Sequence, residues 1–352
     1  MHTADIRAQK AENPKLRDRD LADKLGISEG ALLAAHVGQH PGHGTVTRLK
    51  SHPDDLMPAI SHLGEVMALT RNASAVHERV GTYGEYHSNP HACMVLGKEI
   101  DLRIFPRHWV HAFAIDQETD KGHRRTLQVF DAAGDAVHKV FMRDGSNHAA
   151  WAEVVETLRI DDQSEGITVD PRQPTEAAKR NPAKEDILFK EWARMTDTHQ
   201  FLRLSSKLGM NRLGAYRAAT GTKWVTPLAP GAMAPLLDRL AEAGQDTILF
   251  VGNRGNIQIH WGPVETVKPM GPWLNVLDDR FNLHLRGDHV AEAYITRKPT
   301  KRGDAIAVEA FDKDGMLIAQ IFGNRQFDDD PLAQWQDILS TLPMLETEDA
   351  TS

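Results

Sequence analysis

The chain has 352 residues, enough for one large or two ordinary domains, and 41% of them are hydrophobic, which excludes a mainly disordered protein. Its 41 Lys and Arg against 49 Asp and Glu leave a net charge of −8, so the usual electrostatic source of a sequence-independent grip on nucleic acid or an anionic membrane is missing. The one cysteine, Cys93, excludes an internal disulfide and a zinc site of two Cys and two His, and it suits a reducing compartment.

In chain order, no apolar stretch of signal-peptide length follows Met1, and no window approaches the roughly 18 apolar residues of a membrane span. A cytoplasmic protein is expected. The first helices end near Gly26, a glycine terminator after Lys24-Leu25. His36, His40 and His43 raise a zinc reading, but Gly38, Pro41 and Gly42 break the helix that would align them. His87 and His91 are four apart with Pro90 between them and no HExxH glutamate, which argues against a metalloprotease. No glycine-rich dinucleotide fingerprint or P-loop follows a strand.

From Ile100 the pattern alternates: Ile100, Leu102 and Ile104 are expected to be buried in a strand that presents Arg103 and Phe105 on its other face. Such an arginine either pairs with a neighbouring carboxylate or faces a ligand. Residues 126–130 and 136–141 then flank Asp131-Ala132-Ala133-Gly134, an antiparallel hairpin signal. The polar, Pro-rich stretch 161–184 reads as a linker between a first domain, 1–160, and a second, 185–345, with a short tail at 346–352.

In the second half Asn181-Pro182 reads as a cap and first helical position, with a helix running to Gly209. Leu188, Trp192, Met195, His199 and Leu202 fall at spacings of 4, 3, 4 and 3, so His199 is expected to face inward from the middle of an apolar stripe. That imidazole is either a core histidine or an axial ligand to haem iron, which needs a neutral imidazole on a rigid element. Haem also carries two propionates, for which Arg212, Arg297, Lys298 and Arg325 are candidate cations.

Residues 100–141 lie without gaps over residues 281–322, matching Leu102 with Leu283, His108 with His289, Gly122 with Gly303, Phe130 with Phe311, Asp131 with Asp312 and Gly134 with Gly315. A repeat this long is a duplicated domain. The expected fold is α+β: a tandem duplication in which N-terminal helices precede a large antiparallel β-sheet, with a ligand cleft between or beside the two halves. His284 stands where the first copy has Arg103, a divergence that suggests one specialised site.

Several blocks carry a resemblance. Arg71-Asn72, Ala75-Val76-His77-Glu78 and His91 to Phe105 are followed by Thr196-Asp197-Thr198-His199-Gln200-Phe201, His260-Trp261-Gly262-Pro263, Met270-Gly271-Pro272-Trp273 and Thr296-Arg297-Lys298-Pro299. In this order, across nearly the whole chain, they resemble the cytoplasmic hemin-degrading and hemin-transport proteins of bacterial haem uptake and iron acquisition, the HemS/ChuS/HmuS type. The resemblance implies that His199 is the proximal iron ligand, that Arg103 lies on the distal side with Phe105 against the macrocycle, and that Arg212, Lys298 and Arg325 hold the propionates. It also implies a secondary haem site at His77, for which the plain alternative is a surface helix or turn histidine. Two functions stay open: an enzyme that opens haem with electrons from an external donor, or a carrier that takes haem from an importer and passes it to a separate haem oxygenase.

Overall fold

The structure, a computed structural model, describes residues 1–40, 44–119, 122–323 and 331–345. It divides into two compact units: residues 1–71, 76–173 and 252–259 form the first, and residues 72–75, 174–251 and 260–352 the second. Each unit is thus completed by a short segment from the other half of the chain. The main boundary falls between Gln173 and Pro174, inside the stretch 161–184. That stretch is tied down: Gln163 donates to the carbonyls of Arg48 and Ile160 at 2.9 and 2.8 Å, and Arg172 forks onto Asp135.

The main sheet of the first unit runs Gly38–His40, Gly44–Leu49, His111–Thr119, Gly122–Phe130, Ala136–Ser146, Gly64–Arg71 and Ala75–Gly81, with each neighbouring pair antiparallel. Helices Pro53–Ser61 and Trp151–Leu158 supply Leu56, Ile60, Trp151 and Val154 to a core shared with Leu102, Ile104 and Val140. A smaller sheet holds Glu85–His87, Cys93–Leu96 and Asp101–Ile104, the last paired with residues 256–259 of the strand Asn256–Gly262. Ile100, Leu102 and Ile104 are fully buried, as their alternation predicts.

In the second unit the order is Val225–Leu228, Glu292–Lys298, Ala305–Phe311, Leu317–Gly323 and Thr247–Gly252, again antiparallel, with a smaller sheet of Val267–Met270, Trp273–Leu277 and Phe281–Arg286. Residues alternate between two layers. Ile306, Val308 and Ala310 join the core built with Leu236, Leu240 and Trp335 of helices Met233–Ala243 and Pro331–Ser340. Phe311 instead joins Leu188, Trp192, Phe201 and Tyr216 of helices Glu185–Trp192, Gln200–Lys207 and Arg212–Ala219.

The hairpin turns are built alike in both units. Asp131 accepts from the backbone N–H groups of Ala133 and Asp135, and Asp312 accepts from those of Asp314 and Met316. Gly134 and Gly315 close these turns at φ +76° and +87°, a conformation that disfavours a side chain. The fold is therefore the expected duplicated α+β architecture with large antiparallel sheets.

Candidate functional site

The predicted single helix from 185 to 208 is two helices, Glu185–Trp192 and Gln200–Lys207, with a turn between them. The apolar spacing holds through Leu188, Trp192 and Met195, then inverts: Phe201 and Ser205 are buried, whereas Leu202 is exposed. The cause is Thr196-Asp197-Thr198, three short polar residues that compete locally for backbone groups. Asp197 Oδ1 accepts the His199 N–H at 2.7 Å, and the Thr196 N–H donates to Gln200 Oε1 at 2.9 Å.

His199 consequently does not face inward. It stands immediately before the second helix, with no capping bond from its ring and its side chain 94% exposed. Its Nδ1 lies 2.7 Å from the acceptor Asp197 Oδ1, so Nδ1 is the donor of that bond and Nε2 is the ring nitrogen that remains to ligate a metal. Hydrogen bonds from the His199 backbone and ring hold the Asp197 carboxyl below its ordinary range. An imidazole with one nitrogen committed to a carboxylate can offer the other to an axial iron site.

Two residues on, the Phe201 ring lies 5.3 Å from Tyr216 and 4.5 Å from Trp192 by centroids, and Lys298 Nζ sits 5.0 Å from the Phe201 and Tyr216 rings. Behind them, wholly buried Glu309 gathers the polar groups. Its Oε1 accepts from Tyr216 Oη at 2.6 Å, Lys298 Nζ at 2.6 Å and Thr296 Oγ1 at 2.8 Å, and its Oε2 accepts from Arg212 Nη1 at 3.0 Å. Burial alone would raise the Glu309 carboxyl, but Lys298 and Arg212 outweigh it and hold it at about 2. Burial pulls Lys298 down, against Glu309, and pushes the Tyr216 hydroxyl well up.

This cluster includes Lys298, one of the candidate propionate cations. Lys298 is 4% exposed, with its ammonium bonded to Glu309 and Tyr216. Arg212 starts its helix after the Asn211 cap, which accepts from the Gly214 N–H. It too is paired with Glu309, with its side chain 22% exposed. Arg325 lies outside the described residues.

Arg103 and Phe105 belong to the first unit, where both are partly exposed, in accord with the expected strand face. Arg103 is paired with Asp101, two residues back, and donates to the Leu102 carbonyl at 3.1 Å. At the corresponding position of the second unit, His284 Nδ1 lies 2.7 Å from Asn275 Oδ1. His77 is neither a surface nor a turn histidine: it is wholly buried in the strand Ala75–Gly81, opposite Thr70. A haem at His77 would need that strand to open. His36 and His40 make carbonyl contacts to Leu32 and Val37 at 3.0 and 3.1 Å, His43 lies outside the described residues, and no cluster of metal-ligating side chains occurs among those described.

Asp197, Tyr216, Thr296 and Glu309 escape a reading by spacing. Asp197 alone leaves a local signal, an acid two residues before the candidate ligand. Glu309 sits in a strand of otherwise apolar residues, Ala305 to Phe311, and a lone acid there signals a buried charge that needs cations.

The fold and site define a duplicated α+β protein that displays an exposed, carboxylate-oriented imidazole beside a buried ionic cluster. Residues 26–158 and 209–342 each match the model of the haemin-degrading HemS.ChuX domain. The chain is 37% identical to the hemin transport protein HmuS of Yersinia pestis, over 95% of this chain and 94% of that protein. Its structure superposes on holo-PhuS, a heme-binding protein from Pseudomonas aeruginosa, with a TM-score of 0.91 at 40% identity, covering 98% of this chain and 100% of that one. It also superposes on the heme degrading enzyme ChuS of Escherichia coli O157:H7, with a TM-score of 0.85 at 33% identity, covering 97% and 99%. The chain belongs to the haemin-degrading HemS/ChuX family.

Proposed function

We propose that this protein binds haem through His199 and degrades it to release iron, as part of bacterial haem uptake. The carrying observation is the exposed imidazole whose Nδ1 is committed to Asp197, leaving Nε2 to bind iron. HmuS and holo-PhuS, named for hemin transport and heme binding, and ChuS, named as a heme degrading enzyme, support the substrate class. Arg103 and Phe105 are the proposed distal residues, partly exposed Arg212 is a proposed propionate partner, and Arg325 is proposed for the same role. Lys298 acts one step removed, by holding Glu309 and with it Arg212. His77 is assigned no part in the primary site.

The reaction we propose takes place in the cytoplasm, with an importer supplying haem and an external donor supplying electrons. No helix among the described residues is long and apolar enough to cross a membrane. Haem would supply the redox chemistry, and the Arg103 guanidinium would supply positive charge and N–H donors to an anionic group placed against it. The test is a hemin titration followed by single-turnover spectra with a reductant, in the presence of catalase to remove free peroxide. Stoichiometric binding, then loss of the haem absorption band with free iron appearing, is the expected result. A persistent band with haem handed intact to a haem oxygenase identifies a carrier instead. Failure to bind hemin stoichiometrically removes both.

A further inference from the structure

We propose that Asp197 is the positioning residue of the iron ligand: it fixes the tautomer and orientation of the His199 ring and makes Nε2 a more strongly donating ligand. This rests on the reading of His199 as the iron-binding residue. The ring is 94% exposed, so packing does not orient it. Its orientation comes instead from one oxygen, Asp197 Oδ1, which accepts both the His199 backbone N–H and the ring Nδ1–H, each at 2.7 Å. Two bonds from one residue to one acceptor couple the ring to the backbone of the turn.

The turn itself is anchored at Thr196. The Thr196 N–H donates to Gln200 Oε1 in the following helix, and the Thr196 carbonyl accepts the Lys301 N–H at 3.1 Å. Asp197 therefore follows directly on a residue whose backbone N–H and carbonyl are both bonded. A carboxylate accepting from Nδ1 polarises the imidazole more than a backbone carbonyl does, and this raises the basicity of the other nitrogen. A more basic ligand stabilises the ferric over the ferrous state and strengthens the iron–nitrogen bond.

A plain turn residue would serve through the backbone bond alone, and the two roles separate experimentally. In Asp197→Asn an oxygen remains to accept the His199 N–H, while the charge that polarises the ring is lost. The full chain loaded with hemin is compared with this variant by resonance Raman of the ferrous iron–histidine stretch and by the ferric/ferrous potential, with far-UV circular dichroism checking the fold. The stretch should move to lower frequency, the potential should rise, and hemin affinity should fall about tenfold. His199→Ala should abolish the stretch altogether. An unchanged stretch and potential in Asp197→Asn, with the band lost in His199→Ala, overturns the role of Asp197 and leaves His199 standing. A band that survives in His199→Ala overturns the assignment of the iron ligand, and this proposal with it.

Discussion

The two units share a fold and bury opposite chemistry at matching places. In the first, Thr70, Tyr83, Trp109, His138 and Asn256 form a polar pocket. His138 Nε2 lies 2.6 Å from Tyr83 Oη, and its Nδ1 lies 3.0 Å from Thr70 Oγ1 and 3.2 Å from Asn256 Nδ2. Its ring stacks on Trp109. The five matching positions of the second unit, Val251, Val264, Val290, Ala319 and Ala75, all lie in its hydrophobic core. One member of each set, Asn256 or Ala75, is carried by the segment that crosses from the other half of the chain. The anchors of these segments are alike: Asn253 donates to the Val137 carbonyl and Asn72 to the matching Ile318 carbonyl, at 2.8 and 2.9 Å. The anchors cannot tell one segment from the other. The pockets beyond them can, because an amide fits only the polar one and a methyl only the apolar one.

The ionic clusters differ in the same spirit. In the first unit the buried acid is on a helix, Glu29, bound to Lys139 and to Arg71 at 2.5 Å. In the second the helix contributes Arg212 and the acid is Glu309 in a strand, where the first unit has Gln128. Both acids are held at about 2 against the penalty of burial, by Lys139 and Arg71 in one case and by Lys298 and Arg212 in the other. The second cluster packs against Phe201 in the helix that follows His199.

The largest effects should come from those acids. Glu29→Ala and Glu309→Ala each strand two cations in the interior and should cost ~3–5 kcal/mol of stability in urea unfolding. Only the conservative Glu309→Gln should also weaken hemin binding, since it loosens Arg212, whereas Glu29→Gln should leave hemin affinity native. Equal losses of affinity in the two Gln variants would dissolve the distinction between the clusters. Because both folded-state values lie below the roughly 4.3 of an unfolded Glu, this stability is complete above that pH and is lost as pH falls toward 2.

The pockets come next. Asn256→Ala removes a donor from Thr70 and His138, and Ala75→Asn puts an amide among Val251, Val264 and Val290; each should cost about 1–3 kcal/mol. A neutral result for Ala75→Asn would mean that the apolar pocket does not select its segment. The polar pocket also titrates. Burial holds His138 near 3, well under its ordinary 6.5, so its contribution is complete above pH 6.5 and is lost as pH falls toward 3. His138→Gln should flatten the pH dependence of stability between pH 6.5 and 4.5, above the range of the acids, measured by urea midpoints.

Features with local causes were legible in the sequence. The Asp-X-X-Gly turns, the buried alternation of Ile100, Leu102 and Ile104, and the duplication are all written in neighbouring residues or a fixed offset. Segment exchange was not, because Asn72 finds its partner 246 residues away and either half alone reads as complete. The break before His199 was hidden for a different reason: Met195, His199 and Leu202 continue a helical spacing, and only the competing bonds of Thr196-Asp197-Thr198 cancel it. His199 was thus singled out by a stripe to which it does not belong, while the matching sequence block marked it on separate grounds.

That distinction yields the smallest expected effect on stability and the largest on function. A ring in the core would carry packing, and truncating it would cost several kcal/mol. A ring 94% exposed carries almost none. His199→Ala should therefore change the urea midpoint by no more than about 0.5 kcal/mol, the usual range for surface substitutions. Asp197 then keeps its bond to the backbone N–H at residue 199, so the turn should persist. Hemin, in contrast, should lose its histidine-ligated absorption spectrum. A variant that unfolds early while keeping the native hemin spectrum would reverse the assignment and return His199 to a structural role.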